Sequence, residues 1–187
     1  MIGKALKRKR DKGLIAAHKS RNLIVVGFMG TGKSTVSKLL SQKLGYTGVD
    51  TDEEIERRSG RTIPELFASE GEASFRDWES RVIREVLAGD RQVVATGGGA
   101  VLREENRLAM LAAGWVVALT ADRDTLIRRV SLSAETGNRP LLAGDAAKRV
   151  DELLEARRHA YDFAHVMIDT SRRSPAEIAE LLLRWLR

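Results

Sequence analysis

Residues 27–34 read Gly-Phe-Met-Gly-Thr-Gly-Lys-Ser and match the Walker A pattern G-x-x-x-x-G-K-[S/T] at every fixed position. The apolar run from Leu23 to Val26 predicts a buried strand before this loop, and the apolar spacing from Ser34 to Leu44 predicts a helix after it. In this order the glycines let backbone N–H groups turn toward phosphate oxygens at the helix N-terminus. An ordinary turn does not need these residues in register, so we predict a nucleotide-phosphate site, with Lys33 on the β/γ-phosphates and Ser34 on Mg²⁺.

The composition limits the class of protein. A chain of 187 residues, 43% hydrophobic and 31% charged, is long enough for one α/β domain with a real core. No apolar stretch approaches the roughly 20 residues needed to cross a bilayer. The absence of cysteine excludes disulfides, thiolate metal sites and cysteine nucleophiles, and it fits a reducing compartment. We therefore expect a cytoplasmic protein.

The positive charge is concentrated at one end. Residues 1–21 contain eight Lys and Arg against one acid, Asp11, whereas the remaining residues carry a net charge of −1 out of the total of +6. We interpret 1–21 as a basic, solvated and partly flexible extension, and 22–187 as the folded domain. An organellar transit peptide and a nucleic-acid arm are the alternatives for this extension. The folded domain itself has no charge excess that would attract polyanions.

From residue 22 onward, short apolar runs alternate with segments of helical periodicity. This alternation predicts an α/β P-loop NTPase fold, a three-layer sandwich with helices on both faces of a five-stranded parallel sheet and ligand sites at the carboxyl ends of the strands. The predicted strands are 23–26, 46–50, 92–95, 115–119 and 165–169. The predicted helices are 34–44, 51–60, a short helix after Pro64, 74–88, 104–113, 122–130, 146–161 and 175–185.

Local signals predict the helix ends. Gly45 and Gly89 are predicted to cap helix C-termini, and Asp122 is placed to cap an N-terminus. Thr51 with Glu54 three residues later predicts a capping box at the start of the second helix.

Two carboxylates close the second predicted strand, in Asp50-Thr51-Asp52. Residues two apart in an extended segment project to the same side, so both carboxylates would lie beside the phosphate site. A kinase with a Walker A loop needs a carboxylate on the metal side and a group that orients the acceptor hydroxyl. We favour this division of roles over the alternative, in which both aspartates only stabilise the N-terminus of the next helix.

Further segments follow the Walker A loop in a fixed order. They are Asp50-Thr51-Asp52, Gly71-Glu72 with Phe75-Arg76, Gly97-Gly98-Gly99 and Arg139-Pro140-Leu141-Leu142. Together with residues 27–35 they resemble the shikimate kinase family, over nearly everything from Leu23 onward. Walker A alone indicates only a P-loop NTPase, whereas the other segments at these intervals are specific to that family. The resemblance implies that ATP phosphorylates the 3-hydroxyl of shikimate, on the chorismate route to aromatic amino acids.

The resemblance also implies roles for individual residues. It assigns Asp50 to the Mg²⁺ side and Asp52 to the shikimate hydroxyls, including the one that attacks. Arg76 would bind the substrate carboxylate, which the planar guanidinium fork suits, and a surface pair with Glu72 is the alternative. The backbone of Gly97-Gly98-Gly99 would approach the substrate ring where a Cβ would block it.

A second carboxylate-binding arginine in the family lies four residues before a tyrosine. Tyr161 therefore selects Arg157, but the proline usual before the tyrosine is absent from Arg157-Arg158-His159-Ala160-Tyr161. Arg158 stays open as a substitute, and both arginines could also be plain solvated charge.

The polar segment 131–145 lacks periodicity and predicts a mobile lid. In the family the lid closes over ATP, excludes water and brings an arginine to the transferring phosphate, which implies Arg139. Arg129 and Pro175 resemble the pair that sandwiches adenine. The implied ATP-binding residues are Gly30, Thr31, Gly32, Lys33, Ser34, Thr35, Arg129, Arg139 and Pro175. The implied catalytic residues are Lys33, Asp52 and Arg139, and the implied metal ligands are Ser34 and Asp50.

Other functions compete with this one. A kinase for another polyol acid or a nucleoside monophosphate would share Walker A but should not need Asp52, Arg76 and the glycine triplet together. A sensor or regulatory domain could bind shikimate or a related acid while the basic tail contacts DNA or a partner, but the tail is too short for a helix-turn-helix. We expect a monomer that binds shikimate and ATP, with no nucleic-acid or membrane partner.

Overall fold

The computed structural model describes residues 21–134 and 146–186. They form a parallel five-stranded sheet in the order β2-β3-β1-β4-β5, covered by helices. The strands are β1 Asn22–Gly27, β2 Thr47–Asp50, β3 Gln92–Ala95, β4 Gly114–Thr120 and β5 Val166–Asp169. The helices are α1 Lys33–Leu44, α2 Thr51–Ser59, α3 Ile63–Leu87, α4 Glu104–Ala113, α5 Arg123–Ala134, α6 Ala146–Ala156 and α7 Pro175–Leu186, with a 3₁₀ turn at Ala100–Leu102.

The central strand β1 divides the core into two layers. Because side chains alternate along a strand, Leu23 and Val25 face one side of the sheet, where they pack with residues of α1 and α7. Ile24 and Val26 face the other side, with residues of α3, α4, α5 and α6. All six residues of β1 are buried, as a strand covered on both faces requires. The structure therefore confirms the predicted three-layer α/β sandwich.

The second helix begins one residue earlier than its predicted cap implied. Asp50, not Thr51, is the N-cap, because its Oδ1 accepts a hydrogen bond from the N–H of Asp52 at 3.1 Å. Thr51 is the first helical residue, and its buried Oγ1 accepts a hydrogen bond from the N–H of Gly97 at 3.2 Å. The predicted Thr51–Glu54 capping box was therefore wrong, and Thr51 instead ties the start of α2 to the end of β3.

Helix α3 joins the two helices predicted around residues 64–88. It starts with a capping box that the sequence analysis missed, between Thr62 and Glu65, and it is interrupted at Gly71, where φ is +81°. Only glycine adopts this backbone without strain, so Gly71 breaks the helix without ending it. The C-cap is Ala88 rather than the predicted Gly89.

Other predicted helix ends are confirmed, and two shift. Gly45 caps α1 in the left-handed conformation, and Asp122 Oδ1 accepts from the N–H of Thr125 at 2.7 Å. Helix α5 continues to Ala134, so residues 131–134 of the predicted lid are helical. Helix α6 ends at Ala156, and turns rather than the predicted helix carry the chain on to Tyr161.

Parts of the prediction lie outside the described residues. These are residues 1–20 of the basic extension and 135–145 of the lid, which contains Arg139. Arg21, the last residue of the extension, donates from Nη1 to the carbonyl of Ala112 at 2.9 Å. Within the described ranges, no helix has the length and apolar character to cross a membrane.

Candidate active site

A cleft of about 640 Å³ opens at the carboxyl ends of β1, β2 and β3. The Walker A loop, the Asp50–Asp52 segment and the glycine triplet each follow one of these strands, so the parallel sheet brings all three together. The lining residues are Met29, Gly30, Gly32, Lys33, Ser34, Thr35, Asp50, Asp52, Glu53, Glu56, Ile63, Phe67, Phe75, Arg76, Glu79, Thr96, Gly97, Gly98, Gly99, Arg129, Leu132 and Arg157.

The Walker A loop is shaped by its own hydrogen bonds. Gly30 and Gly32 have φ of +80° and +91°, which favours glycine at both positions. The carbonyl of Phe28 accepts from Oγ1 of Thr31 at 2.7 Å and from Nζ of Lys33 at 3.1 Å. Thr31 is buried and braces the loop from inside, whereas Lys33 lines the cleft. The N-terminus of α1 therefore faces the cleft, as an anion site requires.

Ser34 and Asp50 meet on one side of the cleft. Oγ of Ser34 donates to Oδ2 of Asp50 at 2.8 Å. A hydroxyl and a carboxylate are hard oxygen ligands of the kind that Mg²⁺ takes beside nucleotide phosphates, so this pair fits a magnesium site.

Asp52 has a buried carboxylate in the same cleft. Its Oδ1 has no hydrogen-bond partner among the residues that the structure describes. Burial, and then the charges of Asp50 and Glu79, raise the pKa of Asp52 to about 7, against the opposing effect of Lys33 and Arg76. A carboxylate with a pKa near neutrality suits proton transfer at physiological pH.

Arg76 lies against a carboxylate that the sequence analysis did not identify. Its Nη1 donates to Oε2 of Glu79 at 2.7 Å, and its Nη2 donates to Oε1 of Glu72 at 3.1 Å. Arg76 is 8% exposed and Glu79 is 1% exposed. The surface pair with Glu72 thus exists, but the guanidinium is buried at the cleft. The sequence pattern that could have identified Glu79 as a buried carboxylate is its place on the apolar face of α3, among residues such as Val82 and Ile83.

The pKa of Glu79 is raised by burial, which the nearby Arg76, Arg157 and Arg103 partly offset. Its second oxygen, Oε1, has no hydrogen-bond partner within the described part of the chain. Asp52 and Glu79 therefore each present one unsatisfied, buried carboxylate oxygen near the cleft.

The carbonyl of Gly98 joins the glycine triplet to the segment after α6. It accepts from Nη1 of Arg157 at 3.2 Å and from the hydroxyl of Tyr161 at 2.9 Å. Arg157 is 5% exposed, and its guanidinium lies 5.6 Å from the centre of the Phe28 ring. Arg158 points outward, with 65% of its side chain exposed, and pairs with Glu155. Of the two arginines, only Arg157 lines the cleft.

Arg129 connects the Walker A loop to the segment after β5. Its guanidinium donates to the carbonyl of Gly30 at 3.2 Å, and to Oγ1 and the carbonyl of Thr170 at 3.0 and 2.9 Å. Pro175 is exposed, begins α7 a few residues beyond Thr170, and does not line the cleft.

The sheet order, the Walker A loop and the arginines and carboxylates in the same cleft are typical of a P-loop phosphotransferase that takes a small acidic acceptor. Comparison with known proteins identifies the family within this class. The family model described as shikimate kinase matches residues 29–187, and the chain belongs to the shikimate kinase family.

Individual relatives agree with the family model. The chain is 51% identical to a shikimate kinase of Gloeobacter violaceus, over 90% of this chain and 93% of that protein. It is 45% identical to a shikimate kinase of Symbiobacterium thermophilum, over 89% of this chain and 96% of the relative. The structure of the Acinetobacter baumannii shikimate kinase in complex with shikimate matches with a TM-score of 0.83 and 34% identity, covering 92% of this chain and 95% of that one.

Proposed function

We propose that the protein is a shikimate kinase, which transfers the γ-phosphate of ATP to the 3-hydroxyl of shikimate and yields shikimate 3-phosphate and ADP. The observation that carries this proposal is that one cleft contains the Walker A loop, the carboxylate of Asp52 with its buried Oδ1, and two buried arginines, Arg76 and Arg157. Phosphoryl transfer from a nucleotide to a hydroxylated acid needs a loop that binds the phosphates, a side chain that orients the attacking hydroxyl, and positive charges that bind the carboxylate of the acid. All of these groups come from one chain, so we expect the monomer to be active.

Arg76 and Arg157 bind the carboxylate of shikimate. A guanidinium offers two parallel N–H donors to a carboxylate, and charge-assisted hydrogen bonds of this kind are the strong ones. Both arginines are shielded from solvent, which reduces the screening of their charge. The backbone of Gly97, Gly98 and Gly99 lines the same cleft and accommodates the ring.

Asp52 acts on the attacking hydroxyl. As the hydroxyl oxygen forms its bond to the γ-phosphorus, the proton passes to Asp52 and the bond from the γ-phosphorus to the bridging oxygen breaks, releasing ADP. Lys33 stabilises the charge on the phosphates. Arg139 adds a second positive charge from the lid, although it lies outside the described residues.

The nucleotide lies on the other side of the cleft. Its phosphates accept from the loop and from the N-terminus of α1, and its adenine lies between Arg129 and Pro175. Ser34 and Asp50 would hold Mg²⁺, since their hydroxyl and carboxylate oxygens lie 2.8 Å apart and are ligands of the kind that the ion prefers. When bound, the ion neutralises phosphate charge. The phosphate ligands in this proposal are Gly30, Thr31, Gly32, Lys33, Ser34 and Thr35.

The test is ADP release with ATP and Mg²⁺ across shikimate, quinate, gluconate and AMP. We expect turnover to require shikimate and to stop when EDTA removes Mg²⁺. Faster turnover with gluconate or AMP would overturn the assigned acceptor. Binding of shikimate without any turnover would identify a sensor instead of an enzyme.

A further inference from the structure

The glycine triplet at the end of β3 does not owe its glycines to backbone strain. None of Gly97, Gly98 and Gly99 has a positive φ, and Gly99 has φ of −98° and ψ of −7°. Residues other than glycine adopt such angles at the third position of type I turns, so they do not require glycine. At position 99 the reason for glycine therefore lies in the space around the residue rather than in its backbone angles.

At Gly99 that space is taken by a side chain of the protein itself. A Cβ added to Gly99 would lie 2.5 Å from Nη1 and 2.6 Å from Cζ of Arg76, and it would also collide with Nη2. These separations are about 1 Å shorter than the ordinary contact of roughly 3.5–4.0 Å between non-bonded heavy atoms. The guanidinium thus occupies the volume that any other residue at 99 would fill.

The neighbouring Gly98 is different. A Cβ there would lie 3.4 Å from the backbone nitrogen of Met29 and 3.6 Å from Nη1 of Arg157, both ordinary contacts. Glycine at 98 is therefore not required by Arg76. The two adjacent positions give a matched pair for an experiment.

Arg76 can make room for a Cβ at position 99 only by moving its guanidinium. Its guanidinium is held by Glu79 and Glu72 and packs 5.3 Å from the centre of the Phe75 ring, with little exposure. The group that a new Cβ meets is the flexible end of a side chain rather than backbone, so the fold can accommodate the change. The accommodation displaces the guanidinium by about 1 Å, an error that can cost on the order of 10²-fold in a positioned site.

We propose that Gly99 is a positioning residue for Arg76: it is glycine so that the guanidinium can lie against the backbone at the end of β3 and meet the carboxylate of the acceptor. This inference rests on the proposed function, because it takes shikimate as the ligand of Arg76. It assigns Gly99 an effect through Arg76 rather than through its own contact with the substrate ring.

The test compares Gly99→Ala with the wild type by calorimetric titration with shikimate and with its methyl ester, which lacks the anionic carboxylate. We expect the variant to lose roughly 10- to 100-fold in affinity for shikimate, and much less for the ester. ATP affinity should stay unchanged, since Arg76 is not part of the nucleotide site. An equal loss for both ligands, or no loss for shikimate, would overturn the inference.

A double-mutant cycle gives the second test. In the Arg76→Lys background the planar group that the Cβ meets is gone, so adding Gly99→Ala should cost no further affinity for shikimate. Gly98→Ala is the comparison, and whatever it costs should be the same in the wild-type and the Arg76→Lys backgrounds. Full additivity of Gly99→Ala with Arg76→Lys would overturn the inference.

Folding is checked separately. If Gly99→Ala alone does not fold, the inference requires that Gly99→Ala combined with Arg76→Lys does fold, and failure of the pair also overturns it. A wild-type protein that does not bind shikimate contradicts the proposed function itself. A wild type that binds shikimate, with a Gly99→Ala variant that binds it equally well, contradicts only this inference.

Discussion

Glu79 accepts a 2.7 Å hydrogen bond from Nη1 of Arg76, and both side chains are buried beside the cleft. In a buried ion pair, removal of one partner leaves an uncompensated charge, so the two residues stabilise each other's position. The pair holds the guanidinium against the glycine triplet, at the wall of the cleft.

Replacing Arg76 with lysine should weaken shikimate binding by about 10- to 100-fold, because the ammonium keeps the charge but loses the parallel N–H donors of the guanidinium. Calorimetric titration with shikimate measures the effect, and titration with ATP serves as the control, with no change expected. An unchanged KM for shikimate would mean that Arg76 has only a structural role.

Asp52→Asn should have opposite effects on turnover and stability. The amide cannot take the proton of the attacking hydroxyl, so kcat should fall by about 10²–10⁴-fold. The substitution also removes a buried carboxylate whose pKa rises from 3.8 to about 7 on folding. Each pKa unit corresponds to about 1.36 kcal/mol, so the ligand-free variant should gain stability, up to about 4 kcal/mol.

The pH dependence tests this explanation. Below pH 3.8 the carboxyl is protonated in both the folded and the unfolded protein, so it does not lower the free energy of unfolding. Between pH 3.8 and 7 the unfolded chain releases the proton and the folded protein retains it, so wild-type stability falls as pH rises. The difference between variant and wild type should therefore be full above about pH 7 and disappear near about pH 4. A difference in the melting temperature that does not vary with pH would contradict it.

Asp50→Asn should raise the Mg²⁺ requirement without unfolding α2. Asparagine caps helices as well as aspartate does, so the cap that Asp50 makes with the N–H of Asp52 is retained. The neutral amide is a poorer ligand for Mg²⁺ than a carboxylate. Activity measured against Mg²⁺ concentration should shift to higher concentrations, while shikimate affinity stays near the wild-type value. The reverse pattern would exchange the roles of Asp50 and Asp52.

Arg158 provides a control for the role of its neighbour Arg157. Arg157→Ala should reduce shikimate affinity strongly, because it removes a buried guanidinium from the cleft. Arg158→Ala removes an exposed side chain paired only with an exposed glutamate among the described residues, so its effect on stability should stay within about 0.5 kcal/mol. Steady-state kinetics and thermal unfolding of both variants show which arginine binds shikimate. Equal losses in shikimate affinity would refute the assignment of this role to Arg157 alone.

Thr51→Val should destabilise the fold by about 1–3 kcal/mol, because the buried N–H of Gly97 loses its acceptor while the shape of the side chain is preserved. Thr51→Ser keeps the hydroxyl and should retain most of the stability. Urea unfolding of the two variants measures the difference. Equal stability of the valine and serine variants would rule out a stabilising role for the hydrogen bond between Thr51 and Gly97.

Much of the fold followed from local patterns. The strands and most helices were predicted from apolar periodicity, and Gly45 and Asp122 were recognised as caps because each acts on backbone within a few residues. One error, the missed capping box of Thr62 and Glu65, was itself local. The error at Thr51 arose because a tertiary contact competes with a local signal. Threonine is a common N-cap residue, but the hydroxyl of Thr51 accepts a hydrogen bond from the N–H of Gly97 after β3. Asp50 caps the helix instead.

The amino-acid sequence by itself determined the position of the Walker A loop and the closeness of Asp50 to Asp52, because both depend on adjacent backbone. The extended segment predicted for the two aspartates was wrong, since Asp50 ends β2 and Asp52 lies in the first turn of α2. Only the tertiary structure decided which other charges join them. Arg157 reaches the carbonyl of Gly98 across 59 positions of the chain, and Arg76 fits its guanidinium into the space that Gly99 leaves. Neither contact has a local signal, since each depends on how a helix or turn packs against the end of β3.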